Sequence, residues 1–194
     1  MKGELVSMDV PQSEAEMKEI VKPRKSFVLK IVIIGDAGVG KTTTTIQFAQ
    51  AKFESEYKPT IGVSIVKNEY LFGEDLVNFQ IWDIAGQEFW QPMRRIYYGG
   101  TQGALILYDV TRPSSFQNVK KWVEELTEFL PKPIPCVLVA NKIDLEDLRK
   151  ISKEDGEELA AELNMPYIEI SAKTSENLEK AFSHLGELLI MDSK

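Results

Sequence analysis

The chain has 194 residues and a formal net charge of −7, from 23 basic and 30 acidic residues. This length suits one compact domain, and a hydrophobic share of 43% is typical of a soluble globular protein. The acidic balance argues against a nucleic-acid-binding protein, which normally carries a basic face. One cysteine, Cys136, excludes an internal disulfide and a Cys-rich zinc site, so a reducing, cytoplasmic location is expected.

Membrane insertion is not expected, because the sequence holds no run of about 18 apolar residues that could form a membrane helix. Residues 191–194 contain no cysteine, so we expect no C-terminal prenylation of this chain. Peripheral membrane association stays open as an alternative, without a lipidation motif to support it. We expect a monomer that binds no nucleic acid.

Residues 1–25 are interpreted as a separate N-terminal extension, because Pro23 and two basic residues precede the first apolar run. Chain termini are usually poorly ordered, so this extension is predicted to be flexible. The main domain is predicted at residues 26–190, followed by a short tail at residues 191–194.

From residue 27 onward, apolar runs alternate with helical patterns. The predicted strands are residues 27–34, 63–71, 76–82, 104–108, 136–140 and 167–170. The predicted helices are residues 42–52, 114–130, 152–163 and 175–190. A turn signal at residues 72–75 joins the second and third strands into an antiparallel hairpin. The alternation predicts an α/β fold with a doubly wound, mostly parallel six-stranded sheet, one antiparallel edge hairpin, and helices on both faces.

Residues 35–42, Gly-Asp-Ala-Gly-Val-Gly-Lys-Thr, match the phosphate-binding P-loop pattern G-x-x-x-x-G-K-[ST] between an apolar strand and a helix. Glycines let the backbone bend around a phosphate, so that N–H groups and the helix N-terminus point at the anion. Lys41 would add a positive charge beside the β- and γ-phosphates, and the Thr42 hydroxyl can ligate Mg²⁺. The pattern therefore predicts a nucleotide site in a chain of negative net charge.

Asp83 follows the predicted strand 76–82, at the carboxyl end where ligands bind in open α/β sheets. A carboxylate at this place can hold the metal through water, in the Walker-B role. An isolated Asp could equally cap a helix or a turn. The sequence Ala-Gly-Gln-Glu that follows at residues 85–88 favours the metal role.

Five motifs occur in a characteristic order and spacing. They are residues 35–42, Pro-Thr-Ile-Gly at 59–62, Asp-Ile-Ala-Gly-Gln at 83–87, Asn-Lys-Ile-Asp at 141–144, and Ser-Ala-Lys at 171–173. Together they resemble the Ras-superfamily small GTPases, most closely the Rab branch, over about residues 27–190. The resemblance implies a Rab-like switch that cycles between GTP- and GDP-bound states, hydrolyses GTP slowly, and acts on effectors in membrane trafficking or related regulation.

The resemblance also assigns the phosphate end of the site. It implies that Thr60 ligates Mg²⁺ together with Thr42 and Asp83, that Gly86 donates its N–H to the γ-phosphate, and that Gln87 orients the attacking water. The implied catalytic residues are Gln87, Lys41, Gly86 and Thr60. The residues implied to contact or cover the phosphates are Asp36, Ala37, Gly38, Val39, Gly40, Lys41, Thr42, Thr43, Tyr57, Thr60 and Gly86.

At the other end of the site, Asp144 would accept hydrogen bonds from N1–H and the exocyclic amine of guanine. Adenine has no such donor pair, so this carboxylate would select the base. The resemblance implies that Asn141 contacts the N7 side, that Lys142 and Phe53 cover the ring faces, and that the Ala172 N–H meets O6. The loop motif implied to complete the base site is Ser171, Ala172 and Lys173.

Effectors, exchange factors and activating proteins are expected to bind through the switch regions, residues 52–66 and 84–98. The second region is rich in apolar side chains, which either pack against a neighbouring helix or form a partner-binding patch. These side chains are Phe89, Trp90, Met93 and Ile96. The resemblance places Arg94 and Arg95 on the switch II helix, pointing away from Gln87, so slow hydrolysis without an activator is expected.

Two alternatives belong to other classes. One is a nucleotide-binding interaction module that does not cycle; Gln87 and Thr60 argue against it, since it would need neither. The other is a small-molecule P-loop kinase, which needs an arginine-rich lid over the phosphates. Only Arg112 and Arg149 lie in loops beyond the switches, so the kinase is disfavoured.

Overall fold

A computed structural model describes residues 24–50, 57–60 and 62–192, with the side chains of 57–60 and of residue 192 left aside. The expectations for residues 1–23 and for Phe53 lie outside the described residues. The same holds for the side-chain roles expected of Tyr57 and Thr60, for which only the backbone is described.

The described strands are β1 Lys25–Ile34, β2 Tyr57–Thr60, β3 Val63–Phe72, β4 Asp75–Ile84, β5 Gly103–Asp109, β6 Cys136–Asn141 and β7 Tyr167–Ile170. In the described part of the chain they form one sheet in the order β2-β3-β4-β1-β5-β6-β7. Within the run β4-β1-β5-β6-β7, all neighbouring strands are parallel. By contrast, β3 pairs antiparallel with β4, and β2 pairs antiparallel with β3.

The six predicted strands and the antiparallel hairpin are confirmed. The structure adds β2 as a seventh strand, which pairs with β3 and takes the edge position outside the hairpin. This strand has four residues and includes Pro59. Proline lacks the N–H that a central strand would use, so it is restricted to edge strands and strand ends. The segment therefore carries no strand signal in the sequence, and its place at the edge follows from pairing with β3.

The described helices are α1 Lys41–Gln50, α2 Gln91–Tyr98, α3 Pro113–Gln117, α4 Val119–Phe129, α5 Lys153–Glu162 and α6 Leu178–Asp192. Short 3₁₀ turns occur at Glu88–Trp90 and Glu146–Leu148. Within the described ranges, we find no helix with the length and apolar character needed to cross a membrane.

Two helix boundaries differ from the prediction. The segment predicted as one helix at 114–130 is divided into α3 and α4 at Asn118, although the backbone hydrogen bonds from Asn118 to Ser114 and from Trp122 to Asn118 run through the joint. The last helix begins at Leu178 and not at Ser175, because Ser175 has a left-handed φ of 66°. The predicted capping of α5 by Ser152 is confirmed.

Hydrophobic cores lie on both faces of the sheet. Alternate residues of β1 point to opposite faces, so Ile31 joins one core and Val32 the other. On the first face, Phe48 of α1 stacks on Phe182 of α6 with ring centroids 3.7 Å apart. On the second face, α4 packs through Trp122. This two-sided burial holds the carboxyl ends of the parallel strands in place, and the predicted site lies along that edge.

Candidate nucleotide-binding site

The loop between β1 and α1 bends sharply at three glycines. Gly35, Gly38 and Gly40 have φ values of 139°, 78° and 100°, which favour glycine over other residues. A Cβ on Gly35 would lie 2.2 Å from the carbonyl oxygen of Leu107, and one on Gly40 would lie 2.2 Å from Nδ2 of Asn141. The loop is therefore seated directly against β5 and against the end of β6.

Lys41 places a cation at the centre of this loop. Its Nζ donates hydrogen bonds to the carbonyl oxygens of Gly35 and Asp36, each at 2.8 Å. Burial lowers the pKa of Lys41 to about 8, while the carboxylates of Asp83 and Asp36 oppose the shift. The ammonium is held where a bound polyphosphate needs a positive charge.

Thr42 and Asp83 meet across 41 residues of sequence, where the Thr42 hydroxyl donates a hydrogen bond to Oδ2 of Asp83. Burial raises the pKa of Asp83, while the hydrogen bond from Thr42 and the charge of Lys41 lower it. Hydroxyl and carboxylate oxygens are hard ligands of the kind that Mg²⁺ prefers. Among the described residues, no group of three or more His, Cys, Asp or Glu could hold a metal. The oxygens of Thr42 and Asp83 fit a magnesium ion that would take its other ligands from phosphate and water.

Gly86 and Gln87 border the same space. A cavity of about 260 Å³ is lined by both residues together with Lys41, Thr42 and Asp83. A Cβ on Gly86 would lie 2.3 Å from the carbonyl oxygen of Gly35 and 2.6 Å from Nζ of Lys41. Switch II thus approaches the P-loop so closely that only glycine fits, and the Gln87 side chain remains exposed to solvent.

The base-end motifs meet at Asn141, the last residue of β6. Its Nδ2 donates to the carbonyl oxygen of Val39 at 2.8 Å, and its Oδ1 accepts from the backbone N–H groups of Lys142 at 2.8 Å and Ala172 at 3.0 Å. The N–H that the resemblance assigns to guanine O6 therefore donates to Asn141 in this structure. One buried side chain links the P-loop, residues 141–144 and residues 171–173.

Asp144 is oriented by its neighbours in the last loop. Ser171 donates its hydroxyl to Oδ1 of Asp144 at 2.7 Å, and Nζ of Lys173 lies 3.9 Å from Oδ2. Ser171 is fully buried, so its hydroxyl fixes the position of the Asp144 carboxylate. The arrangement leaves an acceptor group at the end of the sheet, as base recognition requires.

Lys142 is held by an ion pair with β5. Its Nζ lies 2.6 Å from Oδ2 of Asp109, and its backbone is left-handed with φ of 74°. Burial works to raise the pKa of Asp109, but hydrogen bonds from Lys142 and Thr111 outweigh it and the pKa falls below its ordinary value. The Lys142 side chain is therefore anchored beside the base motif.

Comparison with known proteins decides the family. A model of the Ras family matches residues 30–190, which include all five motifs. The chain belongs to the Ras family. It is 43% identical to GTP-binding protein ypt3 of Schizosaccharomyces pombe over 156 residues, which are 80% of this chain and 73% of that protein.

Two further relatives carry Ras-related names. Ras-related protein Rab-31 of Rattus norvegicus is 40% identical over 158 residues, 81% of each chain. Ras-related protein SEC4 of Candida albicans is 37% identical over 163 residues, 84% of this chain and 78% of that protein. This small GTPase is therefore a GTP-binding protein of the Rab branch, as its motifs predicted, and it hydrolyses GTP.

The P-loop of this GTPase is also held from outside, by contacts that the sequence analysis missed. The Asp36 carboxylate accepts hydrogen bonds from Nδ2 of Asn118 at 2.9 Å and from Nε1 of Trp122 at 2.8 Å. Arg112 donates from Nη2 to the carbonyl oxygen of Ala37 at 2.8 Å. Arg112 thus supports the P-loop itself and does not belong to a lid.

Arg94 corrects one prediction. It does not point away from Gln87: its Nη1 donates to the carbonyl oxygen of Gln87 at 3.0 Å, and its Nε and Nη2 bind Glu125. Arg95 does turn away, with its guanidinium 5.3 Å from the ring of Phe129. A signal for the buried pair exists in the sequence, because Glu125 lies three residues after Trp122 on the apolar stripe of α4.

For the apolar side chains of switch II, the sequence left open whether they pack inward or form an exposed partner-binding patch. The structure shows some of them in each arrangement. Trp90 packs inward, since a Cβ on Gly62 would lie 2.8 Å from its ring. Phe89, Met93 and Ile96 are 82%, 39% and 67% exposed. These three exposed residues make up the apolar surface of switch II, although the Phe89 ring also contacts the Trp90 ring at its edge, with centroids 5.4 Å apart.

Proposed function

We propose that this protein is a magnesium-dependent, Rab-like switch in which the residues described above bind and hydrolyse GTP. The observation that carries the proposal is the contact between Thr42 and Asp83 beside Lys41. It brings a hydroxyl, a carboxylate and an ammonium together at the mouth of a phosphate-binding loop. A glutamine after Asp-x-x-Gly adds the group that P-loop GTPases use to orient the attacking water.

At the phosphate end, Lys41 and the P-loop N–H groups would bind the β- and γ-phosphates. Thr42, Asp83 and Thr60 would hold Mg²⁺, which neutralises charge on those phosphates when bound. Gly86 would add its N–H to the γ-phosphate only when switch II is close to the P-loop. Its missing side chain permits that approach.

Hydrolysis would depend on Gln87, whose exposed amide both accepts and donates hydrogen bonds and can orient an attacking water. The two arginines nearest to it, Arg94 and Arg112, are engaged by backbone carbonyls. We propose that neither stabilises charge on the transferred phosphoryl group, because Arg94 is also bound to Glu125 and Nη2 of Arg112 is bound to the P-loop carbonyl of Ala37. We expect intrinsic turnover on the order of 10⁻⁴ to 10⁻² per second, with several decades added by an activating protein.

Base choice would rest on Asp144, held by Ser171, with Asn141 joining the base loops to the P-loop. Lys142, anchored by Asp109, would lie along one face of the guanine ring and Phe53 along the other. Contacts of Thr60 and Gly86 with the γ-phosphate, which GDP lacks, would order the two switch regions in the triphosphate state.

Partners would read the switch regions, residues 52–66 and 84–98. The exposed surface of Phe89, Met93 and Ile96 supports this proposal, because apolar clusters of this kind usually mark interfaces. In keeping with its place in the Rab branch, we assign the switch to membrane trafficking.

The first experiment identifies the nucleotide that purified protein releases on denaturation, which we expect to be GDP or GTP. Protein loaded with GTP is then assayed for single-turnover phosphate release. Gln87→Leu should bind GTP with nearly unchanged affinity and hydrolyse it at least tenfold more slowly, about 1.4 kcal/mol in the barrier. Release of an adenine nucleotide, or hydrolysis that survives Gln87→Leu, would contradict the proposal.

A further inference from the structure

Arg94 and Glu125 form a buried ion pair between switch II and α4. Arg94 is 2% exposed and Glu125 is 6% exposed. The two hydrogen bonds are parallel, from Nε to Oε1 at 2.6 Å and from Nη2 to Oε2 at 2.7 Å. The Tyr98 hydroxyl also donates to Oε1 of Glu125 at 2.8 Å. The carboxylate is thus fully engaged, and the guanidinium plane is fixed by its forked contact.

The remaining nitrogen of Arg94 points at the hydrolytic segment. Nη1 donates to the carbonyl oxygen of Gln87 at 3.0 Å and to that of Ala85 at 3.5 Å. The same Gln87 carbonyl accepts the backbone N–H of Trp90 at 3.0 Å. Arg94 therefore binds the backbone carbonyls of Ala85 and Gln87, the two residues that flank Gly86.

The P-loop is fastened to the same place on α4. The Arg94 guanidinium lies 4.6 Å from the centre of the Trp122 ring, and the Trp122 indole N–H donates to Asp36 at 2.8 Å. Trp122 and Glu125 are three residues apart, so they lie on one face of the helix. One turn of α4 consequently holds the P-loop through Trp122 and the Gln87 backbone through Arg94.

Helix packing alone does not require this arrangement. Two buried charges are costly to desolvate, and an apolar pair would join α2 to α4 at least as well. What an apolar pair cannot do is donate a hydrogen bond to the Gln87 carbonyl. Burial lowers the pKa of Arg94, but the contact with Glu125 prevails and raises it, so the guanidinium stays charged.

We propose that Glu125 is a positioning residue for GTP hydrolysis, which acts by holding Arg94 against the Gln87 carbonyl. In this role it acts through Arg94 and not on the nucleotide. It lies on a helix outside the five sequence motifs. The inference rests on the proposed role of Gln87, because a fixed backbone at this residue matters only if its side chain orients the water.

Two variants break the contact in different ways. Glu125→Gln keeps the shape but removes the charge, and Arg94→Lys keeps the charge but loses the fork. We expect each to slow single-turnover hydrolysis of preloaded GTP at least fivefold, while GDP and GTP dissociation rates stay within twofold of wild type. The matched control is Glu128→Gln, an exposed carboxylate on the same helix, which should change neither quantity.

A second readout is independent of hydrolysis. In the GDP-bound protein, loss of the Arg94 contact should speed hydrogen–deuterium exchange at the Trp90 amide, which is bonded to the Gln87 carbonyl. We expect at least fivefold faster exchange in a peptide covering residues 85–91 for both variants, and no change for Glu128→Gln. If one of the two variants fails to fold, unchanged exchange in the other variant would still overturn the inference.

The decisive comparison uses the Gln87→Leu background. If Glu125 acts through Gln87, adding Glu125→Gln to Gln87→Leu should slow hydrolysis by less than twofold. An additive fivefold loss, or a matching loss of nucleotide affinity in the single variants, would make Glu125 a general structural residue and overturn the inference. Absence of phosphate release from the wild-type protein would instead overturn the proposed function.

Discussion

The side-chain amide of Asn141 donates a hydrogen bond to the carbonyl oxygen of Val39 at 2.8 Å, across 102 residues of sequence. Its Oδ1 accepts from the Ala172 N–H at 3.0 Å. The residue is 1% exposed, so these bonds are sheltered from water. The base-binding loops and the P-loop are therefore joined by one side chain even before a nucleotide is considered.

Asn141→Ala should loosen both ends of the site together. It leaves the Val39 carbonyl and the Ala172 N–H without their partner, at about 1–3 kcal/mol for each buried group. We expect GDP to dissociate at least tenfold faster and the melting temperature to fall. Stopped-flow release of a fluorescent GDP analogue measures the first effect. Gln117→Ala, which removes an exposed amide on α3, is the control. Equal GDP dissociation rates in the two variants would contradict the role of Asn141 in joining the two ends of the site.

Thr42→Asn tests the metal site. The change removes the hydroxyl that contacts Asp83, and the triphosphate depends on the metal more than the diphosphate does. We expect affinity for GTP in the presence of Mg²⁺ to fall much further than affinity for GDP. Titrations of both nucleotides with and without Mg²⁺ measure the difference, with the distant Thr127→Asn as control. Equal loss of both nucleotides would show that Thr42 is not a metal ligand.

Gly86→Ala tests the close approach of switch II to the P-loop. The added methyl would lie 2.3 Å from the Gly35 carbonyl oxygen, so either the loop or switch II must move. Such overpacking usually costs about 1–3 kcal/mol. We expect weaker GTP binding and slower hydrolysis. Gly99→Ala is the matched control, because its nearest neighbour is 3.5 Å away and its φ is −54°. Hydrolysis equal to that of the control would contradict the close contact.

The residues proposed to bind nucleotide could be located from the sequence because their chemistry depends on short spacing within single loops. Lys41 and Thr42 follow the glycines directly, and Asp144 lies three residues after Asn141. Each loop also follows a buried parallel strand, and these strands end at one edge of the sheet. Local sequence therefore predicts both the groups and the place where they gather.

The supporting contacts could not be predicted in the same way. Arg94 meets Glu125 across 31 residues, and Trp122 meets Asp36 across 86. Both contacts depend on where α4 packs against the sheet, which is a property of the folded core and not of any short motif. The charge of Glu125 on an apolar stripe indicates a buried partner, but several basic residues could have filled that role.

Cys136 offers a test of the sheet core. Burial raises the pKa of its thiol to about 12, from an ordinary value of about 8.5. Only about one thiol in 10⁴ is then ionised at pH 8, so a disulfide reagent should modify the folded protein slowly. At pH values below 12, the modification rate should rise about tenfold for each unit by which the pH is raised, because the thiolate is the reactive form.

The unfolded chain serves as the control for this thiol. In denaturant at pH 8, one reactive group per chain should be titrated rapidly, since Cys136 is the single cysteine. Modification of the folded protein at the same rate would mean that β6 is open to solvent at its first residue.

Base recognition by Asp144 tests the account most directly. Asp144→Asn replaces an acceptor-only carboxylate by an amide that also carries a donor, while the Ser171 hydroxyl can still bond to its oxygen. Facing guanine, the amide donor would oppose the donors of the base and leave buried polar groups unpaired, at about 1–3 kcal/mol each. Xanthine carries a carbonyl where guanine has its amine, so it suits the amide.

The measurement is a competition between GTP and xanthosine triphosphate on wild-type and Asp144→Asn protein. The account predicts that the change lowers GTP affinity at least a hundredfold, about 2.7 kcal/mol, and strengthens binding of xanthosine triphosphate. A variant that still prefers GTP would contradict it, because Asp144 would then not read the base and the roles assigned to Asn141 through Asp144 would have to be withdrawn.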